Sequence, residues 1–302
     1  MSFPRQVVPG TVYLVTRRCT QRQFLLRPDC ETNNAFVYCL AYAVLKAEVE
    51  VVAFIANSNH YHAVIVDPHG NIPKFLEVFH KLIAKHQNAL FGRWENVWST
   101  EQTSLVELVD SEDVLAKVVY TLTNPVKDHL VERAHHWPGA SSLDATIEGK
   151  TLVAYRPSKF FRADGKMPEK IELRCVRPPG LERPSHDEYR ARLRDAIADV
   201  EAAMKAERRT TGAGIVGKQR ILNQAPSDRP LSPEPRRELD PRVAAKNPSM
   251  RIEATKRLKV FRAAYAAARD AWLGGLTVLF PLGTWWLRRF AAVPCEPASA
   301  AT

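Results

Sequence analysis

The sequence predicts an α+β fold whose first half follows the ferredoxin-like order β-α-β-β-α-β. Segments rich in β-branched residues alternate there with segments whose apolar residues recur at helical spacing. Later in the chain, proline-rich connections and helices replace this alternation. The ferredoxin-like order predicts a sheet with helices packed on one face, so the other face is expected to be open and able to carry a site.

The predicted elements of the first half follow one another closely. They are strands at 12–16, 50–56, 61–66 and 104–109, and helices at 32–46, from 73 onward and at 112–123. Asn57-Ser58-Asn59 is turn-prone and joins the second strand to the third. Pro73 suits the first turn of a helix. Pro125 disfavours helical geometry at Asn124, so the last of these helices is expected to end there.

The third strand opens with two histidines in Asn59-His60-Tyr61-His62. Successive side chains of a strand point to opposite faces, so His60 and His62 are expected on the same face. Two imidazoles on one face can bind one divalent metal ion. Because a lone His-x-His pair is weak evidence, a structural role for the pair remains the alternative.

The helix at 112–123 carries a tyrosine away from its apolar face. At about 100° per residue, its apolar side chains form one stripe: Val114, Leu115, Val118, Val119 and Leu122. Tyr120 falls nearly opposite this stripe, and Lys117 and Asn124 lie one turn before and after it on the same polar face. The nearby cation can favour the phenolate form of Tyr120. An exposed surface tyrosine without chemistry is the alternative.

Together, Asn-His-Tyr-His and Tyr-x-x-x-Asn-Pro resemble the motifs of the HUH single-tyrosine transposases. The nearest branch is the REP-associated tyrosine transposases, with the insertion-sequence transposases as more distant relatives. Roughly residues 5–142 take part in the resemblance, and three further segments agree with it: Thr16–Arg18, Trp98–Gln102 and Trp137–Ser142. Two positions depart from the family. Tyr61 stands where a smaller apolar residue is common, and Asn124 stands where the insertion-sequence relatives carry glutamine.

The resemblance implies that residues 1–142 form an HUH domain with Tyr120 as the nucleophile. It also implies that His60, His62 and Asn124 hold Mg²⁺ or Mn²⁺, with Asn124 serving the catalytic site as well. Tyr120 would join the 5′ side of a break and release a free 3′ hydroxyl, so the strand could be rejoined elsewhere without ATP. The implied partner is single-stranded DNA beside hairpin-forming repeats, and both a monomer and a homodimer remain open.

Two other functions are compatible with these residues. The first is a non-cleaving DNA-binding protein derived from a transposase, against which the retained histidines and tyrosine argue. The second is a metal-dependent phosphoesterase that uses water. It would be expected to have a carboxylate-rich ligand set, whereas Asp67 and Glu101 are the only obvious carboxylates nearby in the sequence.

Positive charge is concentrated in the second half of the chain, whose net charge as a whole is +10. Residues 1–142 contain 13 Lys and Arg against 14 Asp and Glu, whereas residues 143–302 contain 30 against 19. Such asymmetry favours a polyanion partner, most simply nucleic acid, over a basic surface with no fixed partner. We therefore expect a connector at 143–185 and a basic, mostly helical DNA-binding region at 186–302.

Several features of the second half can be interpreted individually. Ser185 and Glu188 form a capping box for a helix that reaches about Arg208. The glycine-rich segment 212–218 superficially matches a dinucleotide fingerprint. Because it follows a helix rather than a strand, a junction whose amides and Lys218 contact a DNA phosphate is the preferred interpretation. Residues 285–290 interleave aromatic and cationic side chains, which can either bind nucleic acid or form core.

The C-terminal part of the chain predicts one more long helix. It spans residues 250–273, with five expected core positions: Ile252, Leu258, Phe261, Tyr265 and Trp272. The uncharged stretch 271–287 is short for a membrane span and is interrupted by glycine and proline, so it is interpreted as buried core with a turn. The chain has five scattered cysteines without a Cys-x-x-Cys pair, which argues against a disulfide framework and fits a reducing cytoplasm.

Overall fold

The first half folds in the order β-α-β-β-α-β, followed by one further helix, in a computed structural model that describes residues 4–181, 183, 185–232 and 241–297. Its elements are β1 (Thr11–Arg18), α1 (Cys30–Ala47), β2 (Glu50–Asn57), β3 (His60–Asp67), α2 (Ile72–Phe91), β4 (Ser104–Leu108) and α3 (Ser111–Lys127). The α+β class and the ferredoxin-like order are therefore confirmed.

The second half is mostly helical. Its elements are α4 (Leu143–Glu148), β5 (Leu152–Tyr155), β6 (Lys170–Leu173), α5 (His186–Thr211), α6 (Lys218–Leu222), β7 (Val243–Ala244), α7 (Pro248–Leu273) and α8 (Trp286–Phe290). The predicted capping box of α5 is present, since Ser185 and Glu188 each bond the backbone N–H of the other. Residues 233–240, inside the predicted C-terminal region, lie outside the described residues.

The main sheet has five strands in the order β2-β3-β1-β4-β7. β1 pairs antiparallel with both β3 and β4, and β2 pairs antiparallel with β3, while the short β7 runs parallel to β4. The strand β3, which carries His60 and His62, is therefore an interior strand of the sheet, between β2 and β1. Its register places Thr16 opposite His62 and Arg18 opposite His60.

Helices cover both faces of this sheet. On one face α1 and α2 pack against side chains such as Tyr61 and Ile65. On the other face α3 and α5 pack over Ile55 and Val64. The expectation of an open second face is therefore wrong. The physical reason is that β2 and β3 carry apolar residues toward both faces, and such strands must be buried on both sides.

The helix α3 continues past its predicted end. Pro125 lies inside α3, which reaches Lys127, so the prediction that the helix ends at Asn124 is wrong. A proline in the last turn removes one helical N–H, and the end of the helix is stabilised by other bonds. The N–H of Asp128 bonds the carbonyl of Asn124, and the N–H of Leu130 bonds the carbonyl of Pro125.

The two halves of the chain contact each other extensively. α5 packs on α3 in a shared apolar cluster, and β7 extends the sheet beside β4. The buried carboxylate of Asp113 in α3 accepts a hydrogen bond from the N–H of Lys246 in the second half. The division into an HUH domain at 1–142, a connector and a C-terminal region stays a prediction.

The C-terminal helix α7 is less buried than its sequence suggests. Phe261 is buried, and Tyr265 and Trp272 contact Phe280. In contrast, Ile252 is 54% exposed, so its assignment to the core is wrong. The stretch 271–287 contains the expected turn, but several of its apolar side chains are exposed, among them Leu276, Leu279 and Trp286. Throughout the described ranges, every helix is too short or too polar to cross a bilayer.

Candidate active site

The turn between β2 and β3 fixes the position of the first candidate ligand. Asn57 and His60 face each other across the turn at the ends of the two strands. The turn is held by the segment that follows β1: the N–H of Cys19 bonds the carbonyl of Asn59 at 2.7 Å, and the N–H of Leu26 bonds the carbonyl of Ser58 at 2.8 Å. His60 therefore sits on backbone that is anchored from two sides.

The two histidines lie on the same side of the sheet, as predicted, with ring centroids 4.9 Å apart. His60 Nδ1 lies 2.7 Å from the amide oxygen of Asn59, an acceptor only, so Nδ1 carries the proton and Nε2 carries the lone pair. His62 Nδ1 lies 2.7 Å from the hydroxyl of Thr16. Partners of this kind on Nδ1 orient imidazoles that coordinate a metal through Nε2.

Asn57 and Asn124 form the second part of the cluster, and both side chains are buried, at 1% and 4% exposure. Asn57 Nδ2 donates to Asn124 Oδ1 at 2.6 Å and lies 3.0 Å from His60 Nε2. Two lone pairs thus converge on a single nitrogen atom. The Asn57 Oδ1 atom is buried without a hydrogen-bond partner in the described part of the chain.

Tyr120 is brought next to the histidines by α3. Its ring centroid lies 5.2 Å from that of His62. The ammonium groups of Lys117 and Lys127 lie 5.5 and 5.1 Å from the Tyr120 ring centroid. Tyr120 is half-buried rather than exposed, because α3 is packed between the sheet and α5.

Lys127 is a site residue that the sequence interpretation missed, because the predicted helix ended before it. Partial burial lowers the pKa of Lys127, and the neighbouring charge of Lys117 lowers that pKa further. Both lysines lie beside the Tyr120 ring. A prediction that let α3 continue through Pro125 would have placed Lys127 two turns after Tyr120, on the same face.

The donor set fits a divalent ion of the predicted kind. His60, His62 and Asn124 bring two imidazoles and one amide oxygen to the same place, and the orphaned oxygen of Asn57 is a fourth potential donor beside them. Among the described residues, no three His, Cys, Asp or Glu side chains form a metal-binding group. An ion at this site would therefore rely on amide oxygens beside the two imidazoles. The ligand assignment itself stays a prediction.

Gln224, from the second half, also borders the site. The hydroxyl of Ser58 in the β2–β3 turn donates to Gln224 Oε1 at 3.1 Å. The Gln224 carbonyl accepts from Arg27 at 2.9 Å, and the N–H of Phe24 bonds the carbonyl of Asp228 at 2.9 Å. No local pattern marks Gln224 in the sequence, because its position results from a long-range contact.

The two carboxylates that lie near the histidines in the sequence have other roles. Asp67 is buried and accepts from the N–H groups of Asn71 and Ile72, where it supports the start of α2. Glu101 pairs with Arg18 at 3.5 Å on the surface. This arrangement gives no support to a carboxylate-rich phosphoesterase site.

Four other histidines lie outside the candidate site. His80 Nε2 lies 2.6 Å from the hydroxyl of Tyr61 on the α1–α2 face of the sheet, and burial lowers the pKa of His80. His86 is buried beside Gln87, which its ring contacts. His135 and His136 are exposed. These four histidines therefore occupy structural or surface positions.

The chain shows partial likeness to three solved structures. It is similar to a REP-associated tyrosine transposase bound to a REP hairpin, with 17% identity, a TM-score of 0.42, and coverage of 54% of this chain and 92% of that one. It is similar to a putative transposase from Deinococcus radiodurans R1, with 18% identity, a TM-score of 0.29, and coverage of 41% and 97%. A tRNA(His) guanylyltransferase from Saccharomyces cerevisiae shares 10% identity at a TM-score of 0.34, with coverage of 43% and 65%.

No protein-family model and no curated protein matches the chain. At these identities and TM-scores, the three likenesses establish no shared activity.

Proposed function

We propose that this chain is a transposase that cleaves and rejoins single-stranded DNA through a covalent bond to Tyr120. The observation that carries the proposal is the meeting of two separate elements. The turn and strand that hold His60 and His62 lie beside the helix that holds Tyr120 and Asn124, with the Tyr120 ring 5.2 Å from the His62 ring. These four residues are the ones that the motif resemblance singles out.

The proposed reaction is a transesterification at phosphorus. The Tyr120 oxygen, having given its proton to solvent, attacks the phosphorus and forms a 5′-phosphotyrosine bond. The bond to the 3′ oxygen breaks, and that oxygen takes a proton to become a free 3′ hydroxyl. Attack by a 3′ hydroxyl of another strand reverses the step, joins the strands and releases Tyr120. One phosphoester replaces another, so no external energy source is needed.

The chain's own residues support this step in two ways. Lys117 and Lys127 flank the Tyr120 ring, and their charge favours the phenolate over the neutral phenol. His60, His62 and Asn124 would hold Mg²⁺ or Mn²⁺. An ion there would neutralise charge on a non-bridging phosphate oxygen and orient the group under attack.

The proposed substrate is single-stranded DNA next to a hairpin. The basic second half supplies the charge complement of a polyanion, because residues 143–302 hold 30 Lys and Arg against 19 Asp and Glu. A REP hairpin, the ligand of the similar transposase, is the first substrate to test. A cytoplasmic location belongs to the same proposal.

A non-cleaving DNA-binding protein is the second candidate, and one observation favours it. The Asn57 amide nitrogen lies within hydrogen-bonding distance of both His60 Nε2 and Asn124 Oδ1, where an ion would need those lone pairs. Asn57 must therefore turn its amide away, or present its oxygen, before an ion can bind. A chain in which Asn57 never moves would bind DNA without cutting it.

Metal-dependent cleavage separates the two candidates. His60→Ala and His62→Ala should each abolish cleavage of a labelled hairpin oligonucleotide in Mg²⁺ or Mn²⁺, because one imidazole holds a hard divalent ion too weakly. Both variants should still bind the oligonucleotide. The matched control is His136→Ala, which removes an exposed imidazole and should cleave like the wild type. Normal cleavage by both site variants would make the pair structural and remove the metal from the proposal.

A further inference from the structure

A cleft at the C-terminal end of α5 lies apart from the candidate active site. It has a volume of about 390 Å³ and is lined by Glu132, Lys205, Arg208, Arg209, Ala213 and Ile215. Three of these side chains are cationic and one is anionic. We propose that this cleft binds a phosphate group of a nucleic-acid backbone.

The three cations face the cleft together because of their spacing on α5. Lys205, Arg208 and Arg209 stand three and four residues apart, so they share one side of the helix. Within the described ranges, no carboxylate forms an ion pair with any of them. Glu207, on the same turn, lies 3.8 Å from His129 instead. The cleft therefore keeps a net positive charge, although Glu132 offsets one of its three cations.

Arg208 is the strongest indication of a ligand. Arg208 is 8% exposed, and its Nη1 atom is buried without a hydrogen-bond partner in the described part of the chain. Burying a cation without a partner is costly. The C-terminal end of a helix favours cations, but this effect supplies no acceptor for Nη1. A phosphate in the cleft would supply the opposite charge to the guanidinium.

In the neighbouring glycine-rich segment 212–218, four backbone N–H groups already have hydrogen-bond partners within the protein. The N–H groups of Gly212, Val216 and Gly217 bond the carbonyls of Arg208, His129 and Leu130. The N–H of Ala213 bonds the hydroxyl of Thr211. These four amides already have partners within the protein, so the side chains of α5 are the donors that line the cleft. The expected contact of this junction and Lys218 with a DNA phosphate stays a prediction.

The position of the cleft suits a nucleic-acid strand that also reaches the candidate active site. Val216 and Gly217 bond the segment that directly follows α3, so the cleft lies at the same end of α3 as Lys127 and Asn124. The choice of nucleic acid rests on the proposed DNA partner, but it does not depend on Tyr120 chemistry. The inference and the proposed reaction can therefore fail separately.

Thermal unfolding of the full chain tests the cleft directly. A ligand that binds only the folded state raises the melting temperature, by about 2 °C or more at ten times its Kd. The wild type should melt higher in sodium phosphate than in sodium chloride of equal ionic strength. It should also melt higher with a 20-nucleotide oligothymidylate. Arg208→Met should lose the phosphate shift and show a smaller oligothymidylate shift, because other contacts of the oligonucleotide remain. It should melt at or above the wild-type temperature in chloride, because a buried unpaired charge is removed.

Two double variants test whether the loss of the shift in Arg208→Met comes from misfolding. Lys205→Ala with Arg209→Ala changes only exposed side chains and should also lose the phosphate shift. Lys256→Ala with Lys259→Ala removes the same charge from exposed positions of α7 and should keep the phosphate shift. A phosphate shift that survives in Arg208→Met, or none in the wild type, overturns the site. An oligothymidylate shift that is undiminished in Arg208→Met, while the phosphate shift is lost, overturns the nucleic-acid backbone as the ligand.

Discussion

The amide group of Asn57 joins the two halves of the candidate metal site. Its nitrogen contacts both His60 and Asn124, and its oxygen is buried without a partner in the described part of the chain. A buried polar group left unsatisfied costs stability and calls for an explanation. At the proposed metal site, an ion that displaces the amide nitrogen and is coordinated by the amide oxygen would resolve both observations. Asn57 would then be a positioning residue or an additional ligand.

We expect Asn57→Asp to tighten Mn²⁺ binding. A carboxylate among the lone pairs of His60 and Asn124 is repelled in the metal-free protein and attracted by a divalent ion. The affinity for Mn²⁺ should rise about tenfold or more, equivalent to about 1.4 kcal/mol, in a titration followed by electron paramagnetic resonance. The control Asn96→Asp adds the same charge at an exposed position and should leave the affinity unchanged. Equal affinities for both variants would remove Asn57 from the site.

Individual site residues were predictable to different degrees. The strand alternation of β3 placed His60 and His62 on one face, and the helical spacing of α3 placed Lys117 near Tyr120; both depend only on local geometry. Gln224 was not predictable, because its contact with Ser58 arises from packing between distant segments.

At the scale of elements, the segment 137–142 completes the edge of the sheet beside β2. Its carbonyl at Ala140 accepts from the N–H of Ala56, and the ring N–H of Trp137 bonds the carbonyl of Ala56. The N–H of Ser142 bonds the carbonyl of Phe54. This pairing protects an edge of the strand that leads into the β2–β3 turn, so it supports the candidate site indirectly.

Gly139→Ala should destabilise this edge. A Cβ atom at position 139 would lie 2.4 Å from Trp137 Nε1 and 2.8 Å from the carbonyl oxygen of Ala56. Such overpacking costs about 1–3 kcal/mol in the free energy of unfolding, which urea denaturation can measure. Gly214→Ala is the matched control, since a Cβ there meets nothing within 4 Å. Equal stability of the two variants would show that the edge tolerates displacement.

The elements themselves were largely predictable because their patterns are local. Alternating or continuous β-branched runs predicted β1 to β4, and the capping box predicted the start of α5. What could not be predicted was which element covers the second face of the sheet. The run of apolar residues in β2 is buried along its length, so both faces of this strand had to be covered. The run does not specify that α3 and α5 are the helices that cover the second face.

At the scale of the whole molecule, the basic second half is integrated with the first. Because α5 packs on α3 and β7 pairs with β4, removing everything after Ser142 would expose apolar core. The role of the charge asymmetry is therefore better tested in the full chain. The helix α7 offers suitable positions, since it presents Lys256 and Lys259 to solvent.

Neutralising these α7 cations should flatten the salt dependence of DNA binding. Each phosphate that a cation neutralises on single-stranded DNA contributes about 0.7 to the slope of log affinity against log salt concentration. Lys256→Ala with Lys259→Ala should lower this slope by about 0.7 for each phosphate that is no longer neutralised. Fluorescence anisotropy titrations at several salt concentrations measure the slope. The control pair, Lys46→Ala with Lys81→Ala, removes the same charge from exposed positions of α1 and α2. An identical slope for both pairs would exclude α7 from the DNA interface.

The covalent bond to Tyr120 is the central claim, and a 3′-labelled hairpin oligonucleotide tests it most directly. After incubation with Mg²⁺ or Mn²⁺ and denaturing electrophoresis, the label should migrate with the protein, because Tyr120 is joined to the 5′ phosphate of the labelled fragment. Tyr120→Phe should fold normally, bind the oligonucleotide and give no adduct. Tyr155→Phe, which alters an exposed tyrosine, should give the wild-type adduct. An adduct that persists in Tyr120→Phe, or strand cleavage that leaves no protein attached, would contradict the account.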